Sequence, residues 1–218
     1  MLLESERNLL VHYGKKLIVH RLTTGTGGNL SILDRGSGLI AITPTGIDYF
    51  DTRPDDIVVL ELEGGVVEGR RKPSSELIMH RILYRHRTDI NAIVHAHSTY
   101  ATTLSCLNWR LPPVHYLVAF AGKDVKCAPY ATFGTEELAR RALAAMQDRK
   151  AVFLANHGLL AGGKDLATAF TVAEQVEFCA EIYCRCKCIG EPIVLPDAEM
   201  ELLAEELRYY GQTRKQEE

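Results

Sequence analysis

The chain has 218 residues, 46% of them hydrophobic and 24% charged, and a net charge of −3; that length supports one sizeable core. Acids and bases are interspersed, so no basic patch marks a nucleic-acid partner, and no run approaches the roughly 20 apolar residues of a membrane span. The opening MLLESERNLL lacks an apolar signal core, so the expectation is a cytoplasmic protein whose six cysteines stay reduced.

Apolar residues at a helical period predict a first helix over 2–22, ending at the TTGTGGN cluster. Strands at 29–33 and 39–42 flank the DRGSG turn as a hairpin, and further strands are expected at 57–62 and 66–67. The segment RKPSSE announces a helix to about Arg87, with Ser74 or Ser75 as its cap and Glu76 in its first turn. Strands follow at 91–95, 126–129, 151–155 and 159–161, and helices at 99–107, 134–146 and 165–189, with a short helix after Pro196. Cys179, Cys184, Cys186 and Cys188 lie within one long predicted helix, at spacings that fit no CxxC pair. Hairpins mixed with helices predict an antiparallel or mixed sheet covered by helices. The Gly25–Gly28 stretch lacks GxGxxG spacing and follows a helix, which argues against a dinucleotide fold. One domain over 1–218 is expected, with a tail from about 196.

Chemistry concentrates in a few places. His95 and His97, two apart in a strand-like run, project to one face, and His157 closes a second buried-strand pattern before Gly158. Three neutral imidazoles suit Zn²⁺ and leave a coordination position open, and Glu76 supplies an acid or base. Three polar segments, GTGGNLS (25–31), TPTG (43–46) and PSSE (73–76), each read alone as a turn or cap. Together they offer backbone N–H groups and hydroxyls for a small phosphate, through Asn29, Thr45, Gly46, Ser74 and Ser75. His80, one turn after Glu76, reads as an interior or interface residue, and Trp109 and Phe120 as core or contact.

GTGGNLS, ITPTGI, PSSE, VHAH, VHYLVAFAG, CAPYATFGT and NHGLL, in that order, resemble the class II aldolase/adducin-head family over nearly the whole chain. The resemblance implies a three-layer α/β/α sandwich around a mostly antiparallel central sheet, usually a homotetramer with sites between subunits. It implies zinc, replaceable by Mn²⁺ or Co²⁺, on His95, His97 and His157, with Glu76 as catalytic acid/base that also touches the metal. It makes Gly28, Asn29, Thr45, Gly46, Ser74 and Ser75 phosphate binders, and Tyr116 and the tail Tyr210 catalytic residues that reach a neighbouring site.

The reaction implied is reversible cleavage of a ketose 1-phosphate, with L-fuculose 1-phosphate first, into dihydroxyacetone phosphate and L-lactaldehyde. Relatives act on 5-deoxyribulose 1-phosphate or 5-methylthioribulose 1-phosphate. Proton transfer by Glu76 would require a carboxyl raised towards neutrality by burial. Pentulose-phosphate epimerases and a dehydratase share the histidines, and adducin heads keep the fold without the metal shell. Glu76 favours the aldolase over the epimerases, and the retained histidines disfavour the non-catalytic module.

Overall fold

The computed structural model describes residues 1–207. Within them the strands are β1 (Asn29–Asp34), β2 (Leu39–Ile42), β3 (Val58–Glu61), β4 (Val66–Glu68), β5 (Ala92–Ala96), β6 (Lys126–Ala128), β7 (Ala151–Leu154) and β8 (Gly158–Gly163). The helices are α1 (Glu4–Val19), α2 (Leu77–His86), α3 (Thr99–Cys106), α4 (Glu136–Met146), α5 (Leu166–Ile189) and α6 (Asp197–Glu206). All eight strands join one sheet in the order β4-β3-β2-β1-β5-β8-β7-β6. Every pairing is antiparallel except β6 with β7, as expected of a mostly antiparallel sheet.

Alternation along the strands divides the core into two layers. In β5, Ala92, Val94 and Ala96 join the cluster formed with α1, α3 and α5, through Leu10, Leu17, Leu104, Phe170 and Val176. Ile93 faces the opposite cluster, built from α2 and α4 through Met79, Leu83, Leu138 and Met146. Two helical layers therefore sandwich the sheet, and the same alternation puts His95 on the α2 face.

Local chemistry sets the helix ends. Asp165 caps α5, accepting from the Thr168 N–H at 2.7 Å, and Thr135 caps α4, accepting from Leu138 at 3.3 Å. The second helix departs from expectation at its start: it begins at Leu77, and Glu76 is its N-cap residue rather than part of its first turn. Ser74 explains the delay. Its Oγ accepts the Glu76 N–H at 3.2 Å, its carbonyl accepts from Leu77 at 3.1 Å, and its own N–H donates to the Thr43 carbonyl at 3.1 Å. Short 3-10 turns at Pro54–Asp56 and Tyr116–Phe120 carry too little periodicity to be read from sequence.

Candidate active site

Strand pairing assembles the centre of the site. Asn29 stands opposite His95 in the β1–β5 register, and His95 stands opposite Leu160 in β5–β8. His97 lies just beyond the end of β5, while His157 occupies the tight turn from β7 into β8, its N–H donating to the Leu154 carbonyl at 3.0 Å. That turn needs Asn156 at φ 54°, a left-handed conformation asparagine tolerates. Gly158 follows because a Cβ there would lie 2.5 Å from the Ala96 carbonyl oxygen. Gly28, at φ +72°, is constrained more tightly: its Cβ would meet the His95 carbonyl oxygen at 2.5 Å.

The three imidazoles converge by their Nε2 atoms. His95 Nε2 lies 3.0 Å from His97 Nε2 and 3.2 Å from His157 Nε2. Glu76 closes the group, with Oε2 at 3.0 Å from His95 Nε2 and Oε1 at 3.4 Å from His157 Nε2. One ligand atom from each of the four side chains lies within 4.8 Å of the others. The Leu159 carbonyl oxygen, 2.9 Å from His95 Nδ1, takes the ring proton there and leaves Nε2 with a free lone pair.

Electrostatics fit this donor set to a divalent metal. Burial, reinforced by the neighbouring His95, pushes His97 and His157 down to about 4, so both are neutral ligands at neutral pH. Nitrogen lone pairs this close repel unless a cation lies among them, and Glu76 Oε1 is buried without a hydrogen-bond partner. Burial alone would raise the Glu76 carboxyl, but His95, then His157 and Asn29, hold it well below the usual carboxylate range. The carboxyl raised towards neutrality that the sequence suggested is therefore not found in this arrangement. A positive charge on His95, which Glu76 in turn favours by raising that ring against the effect of burial, and the Asn29 amide, donating to Oε2 at 2.9 Å, outweigh desolvation.

Beside the cluster opens a pocket of about 390 Å³. Gly28, Asn29, Thr45, Gly46, Ser74 and Ser75 all line it, together with Glu76, His97 and His157. The TPTG and PSSE loops meet through a Pro44–Pro73 β-bridge, closed by Thr45 N–H to Lys72 O and Ser74 N–H to Thr43 O, each at 3.1 Å. Tyr49, buried beneath, donates to the Gly28 carbonyl at 2.9 Å and steadies the glycine loop. Sequence reasoning missed Tyr49, and also Tyr130, Phe133 and Asn156, which line the pocket. The signal for Tyr130 and Phe133 was present, as two large residues in the CAPYATFGT motif that stay 56% and 64% exposed. Tyr116 is 46% exposed and is absent from the pocket lining of its own chain. Tyr210, with Tyr209, lies outside the described residues. His80 is fully buried, as expected, and is not part of the imidazole cluster.

A family model described as Class II Aldolase and Adducin N-terminal domain matches residues 8–184. A Bacillus thuringiensis serovar kurstaki protein named 5-deoxy-D-ribulose 1-phosphate aldolase is 59% identical over 97% of this chain and 100% of its own length. A Rhodospirillum rubrum protein named 5-methylthioribulose-1-phosphate/5-deoxyribulose-1-phosphate aldolase is 46% identical over 94% of this chain and 92% of its own. Among solved structures, one titled L-fuculose 1-phosphate aldolase superposes with a TM-score of 0.92 at 57% identity, covering 94% of this chain and 96% of that one. The order of motifs, the layered antiparallel sheet and these matches agree: the chain belongs to the class II aldolase and adducin N-terminal domain family.

Proposed function

We propose that the protein is a metal-dependent aldehyde-lyase that cleaves 5-deoxyribulose 1-phosphate reversibly between C3 and C4, giving dihydroxyacetone phosphate and acetaldehyde. The observation that carries this is the convergence of His95, His97, His157 and Glu76 beside a pocket lined by all six expected phosphate-binding residues. Motif resemblance alone ranks L-fuculose 1-phosphate first; the 59% identity to a protein named for the deoxyribulose substrate moves that substrate ahead. An aldehyde end without a hydroxyl also suits a pocket walled by Tyr130, Ala131 and Phe133.

His95, His97 and His157 would hold the ion, with Glu76 as a fourth ligand until substrate arrives. Zn²⁺ suits three imidazoles and a carboxylate, and Mn²⁺ or Co²⁺ would serve in its place. When bound, the metal supplies Lewis-acid stabilisation of negative charge developing on substrate oxygens. The remaining work falls to the chain. Backbone N–H groups and hydroxyls of the three loops bind the phosphate, with Ser74 and Ser75 just before α2, where its dipole favours an anion. As the C3–C4 bond breaks, the C4 hydroxyl gives up its proton, through Tyr116 of the neighbouring subunit, and becomes the aldehyde carbonyl. The bond's electron pair stays with the three-carbon fragment, and Glu76, protonated once substrate has released it from the histidines, passes its proton to C3, each transfer reversing in synthesis.

In the same proposal one domain spans the chain, and the enzyme works as a cytoplasmic homotetramer in which Tyr116 and Tyr210 complete a neighbouring subunit's site. Tyr116's exposure away from its own pocket and six free cysteines, suited to a reducing compartment, support this. Among the described residues no helix is long and apolar enough to cross a membrane.

The test is dihydroxyacetone phosphate release from 5-deoxyribulose, L-fuculose and 5-methylthioribulose 1-phosphates, each with and without chelator. Chelator-sensitive release, fastest from the first, is expected. No release from any of them by zinc-loaded protein would overturn the aldolase in favour of an epimerase or dehydratase.

A further inference from the structure

A chain of buried polar groups runs from α2 through β1 to Asn29 and Glu76, and three of its members, His80, Ser31 and Tyr84, have no part in the chemistry described above. Glu76 Oε2 accepts from the Asn29 amide at 2.9 Å; Asn29 Oδ1 lies 2.6 Å from His80 Nε2. His80 Nδ1 lies 2.6 Å from Ser31 Oγ, which lies 2.6 Å from the Tyr84 hydroxyl. His80 and Ser31 are 0% exposed and Tyr84 1%, so no water competes for these bonds.

The direction of every proton in this chain is determined. A carboxylate only accepts, so Asn29 turns its NH₂ to Glu76 and leaves Oδ1 for His80, which must donate from Nε2. Burial, then the nearby His95, pushes His80 down to about 3, so the ring is neutral and Nδ1 accepts from Ser31. The Ser31 oxygen then accepts from Tyr84, whose phenol burial keeps protonated. Without the His80 N–H, only the Glu76 carboxylate would hold the Asn29 amide in this orientation, and that hold is lost whenever the carboxyl takes up a proton or turns away.

We infer that His80, Ser31 and Tyr84 are positioning residues that act through Asn29, fixing its amide so that an N–H rather than the carbonyl always faces Glu76. The consequence for turnover rests on the aldolase proposal; the orientation itself does not.

Two measurements on the full chain separate these. In protein labelled with ¹⁵N-histidine, the His80 ring, assigned by its loss in His80→Gln, is expected as the Nε2–H tautomer at neutral pH, with or without chelator. An Nδ1–H tautomer or an imidazolium overturns the inference whatever the enzyme catalyses. In the zinc-loaded enzyme, His80→Leu should lower kcat about tenfold with KM little changed and metal content stoichiometric. His80→Gln, which restores an N–H, should recover most of that loss. In an Asn29→Ala background the His80→Leu effect should vanish. Equal impairment by Leu and Gln, or an undiminished effect without Asn29, overturns the inference. Ser31→Ala, which deletes one hydroxyl, serves in the same cycle if His80→Leu does not fold. A wild-type enzyme without aldolase activity but with the Nε2–H tautomer would overturn the function while upholding the amide orientation.

Discussion

Glu76→Gln separates metal binding from proton transfer. Glutamine is nearly isosteric and leaves His95, His97 and His157 in place, and three protein ligands are the usual complement of a catalytic zinc site. Stoichiometric metal is therefore expected in the variant. The proposed phosphate loops touch the Glu76 side chain only through the Asn29 amide, which a glutamine oxygen can still accept, and are otherwise held by backbone bonds, so dihydroxyacetone phosphate should bind with nearly unchanged affinity. What disappears is the proposed base. Among the described residues no other carboxylate lies in the imidazole cluster or lines the pocket. General acid–base catalysis by a placed side chain contributes about 10² to 10⁴, which corresponds to about 3–5 kcal/mol of barrier. The direct assay is exchange of the C3 hydrogen of dihydroxyacetone phosphate with D₂O, followed by NMR, alongside metal analysis of the same sample. Exchange should fall at least a hundredfold. Normal exchange in fully loaded Glu76→Gln would remove Glu76 from the proton-transfer step.

Two glycines with the same backbone conformation should respond differently. Alanine at Gly28 meets both a left-handed φ and a backbone oxygen at 2.5 Å, so a loss of more than about 2 kcal/mol in urea unfolding is expected. Alanine at Gly46, φ +70° with open space around it, should cost only about 1 kcal/mol; equal losses would contradict the argument. Acid should destabilise the chelator-treated protein through His80. With a folded value of about 3 against an ordinary 6.5, the unfolded chain binds more protons between those values. Its contribution is then complete above about pH 6.5 and declines as pH falls towards 3, by about 2 kcal/mol between pH 7 and pH 5 from His80 alone, and His97 and His157, both held down to about 4, act in the same direction. A pH-independent urea midpoint in metal-free protein over that interval would refute it. Metal should stabilise the fold, since zinc at a thousand times its Kd adds about 4 kcal/mol. Chelator should therefore lower the Tm of wild-type protein but not of His95→Ala, as calorimetry would show.

Much of this was legible in the sequence for identifiable reasons. The β1–β2 hairpin was marked by two short apolar runs around DRGSG, and it formed between Asn29 and Ile42. His95 and His97 were legible because a period of two permits one common face. The start of α2 was misread because Ser74 looks like a helix cap, whereas its Oγ and carbonyl build a turn that holds Glu76 at the N-cap. The link from Asn29 to Tyr84 was invisible for another reason. It depends on β1 facing α2 in a particular register, which local patterning does not encode. Tyr49 was missed likewise, since its hydroxyl finds the Gly28 carbonyl only after α1 and the sheet have packed around its ring.

The two halves of the site depend on different parts of the fold. His95 and the turn carrying His157 belong to β5 and the β7–β8 hairpin, next to β1 at the centre of the sheet, where side chains from both helical layers bury the strands. Their geometry exists only once that core is formed, so metal binding favours the native state over the unfolded chain. The proposed phosphate loops depend on contacts that are more local: the Pro44–Pro73 bridge and the two backbone bonds beside it, the bonds of Thr43 to Leu30 and of Ser74 Oγ to Glu76, and Tyr49 beneath the glycines. Local opening is cheapest where few buried contacts hold a segment. Hydrogen exchange at Thr45 and Ser74 should accordingly be faster than in β5 and β8, and phosphate should slow it without altering exchange in the strands. A phosphate side that opens while the imidazole centre stays closed would release dihydroxyacetone phosphate without releasing the metal, which a reversible aldolase requires on every turnover.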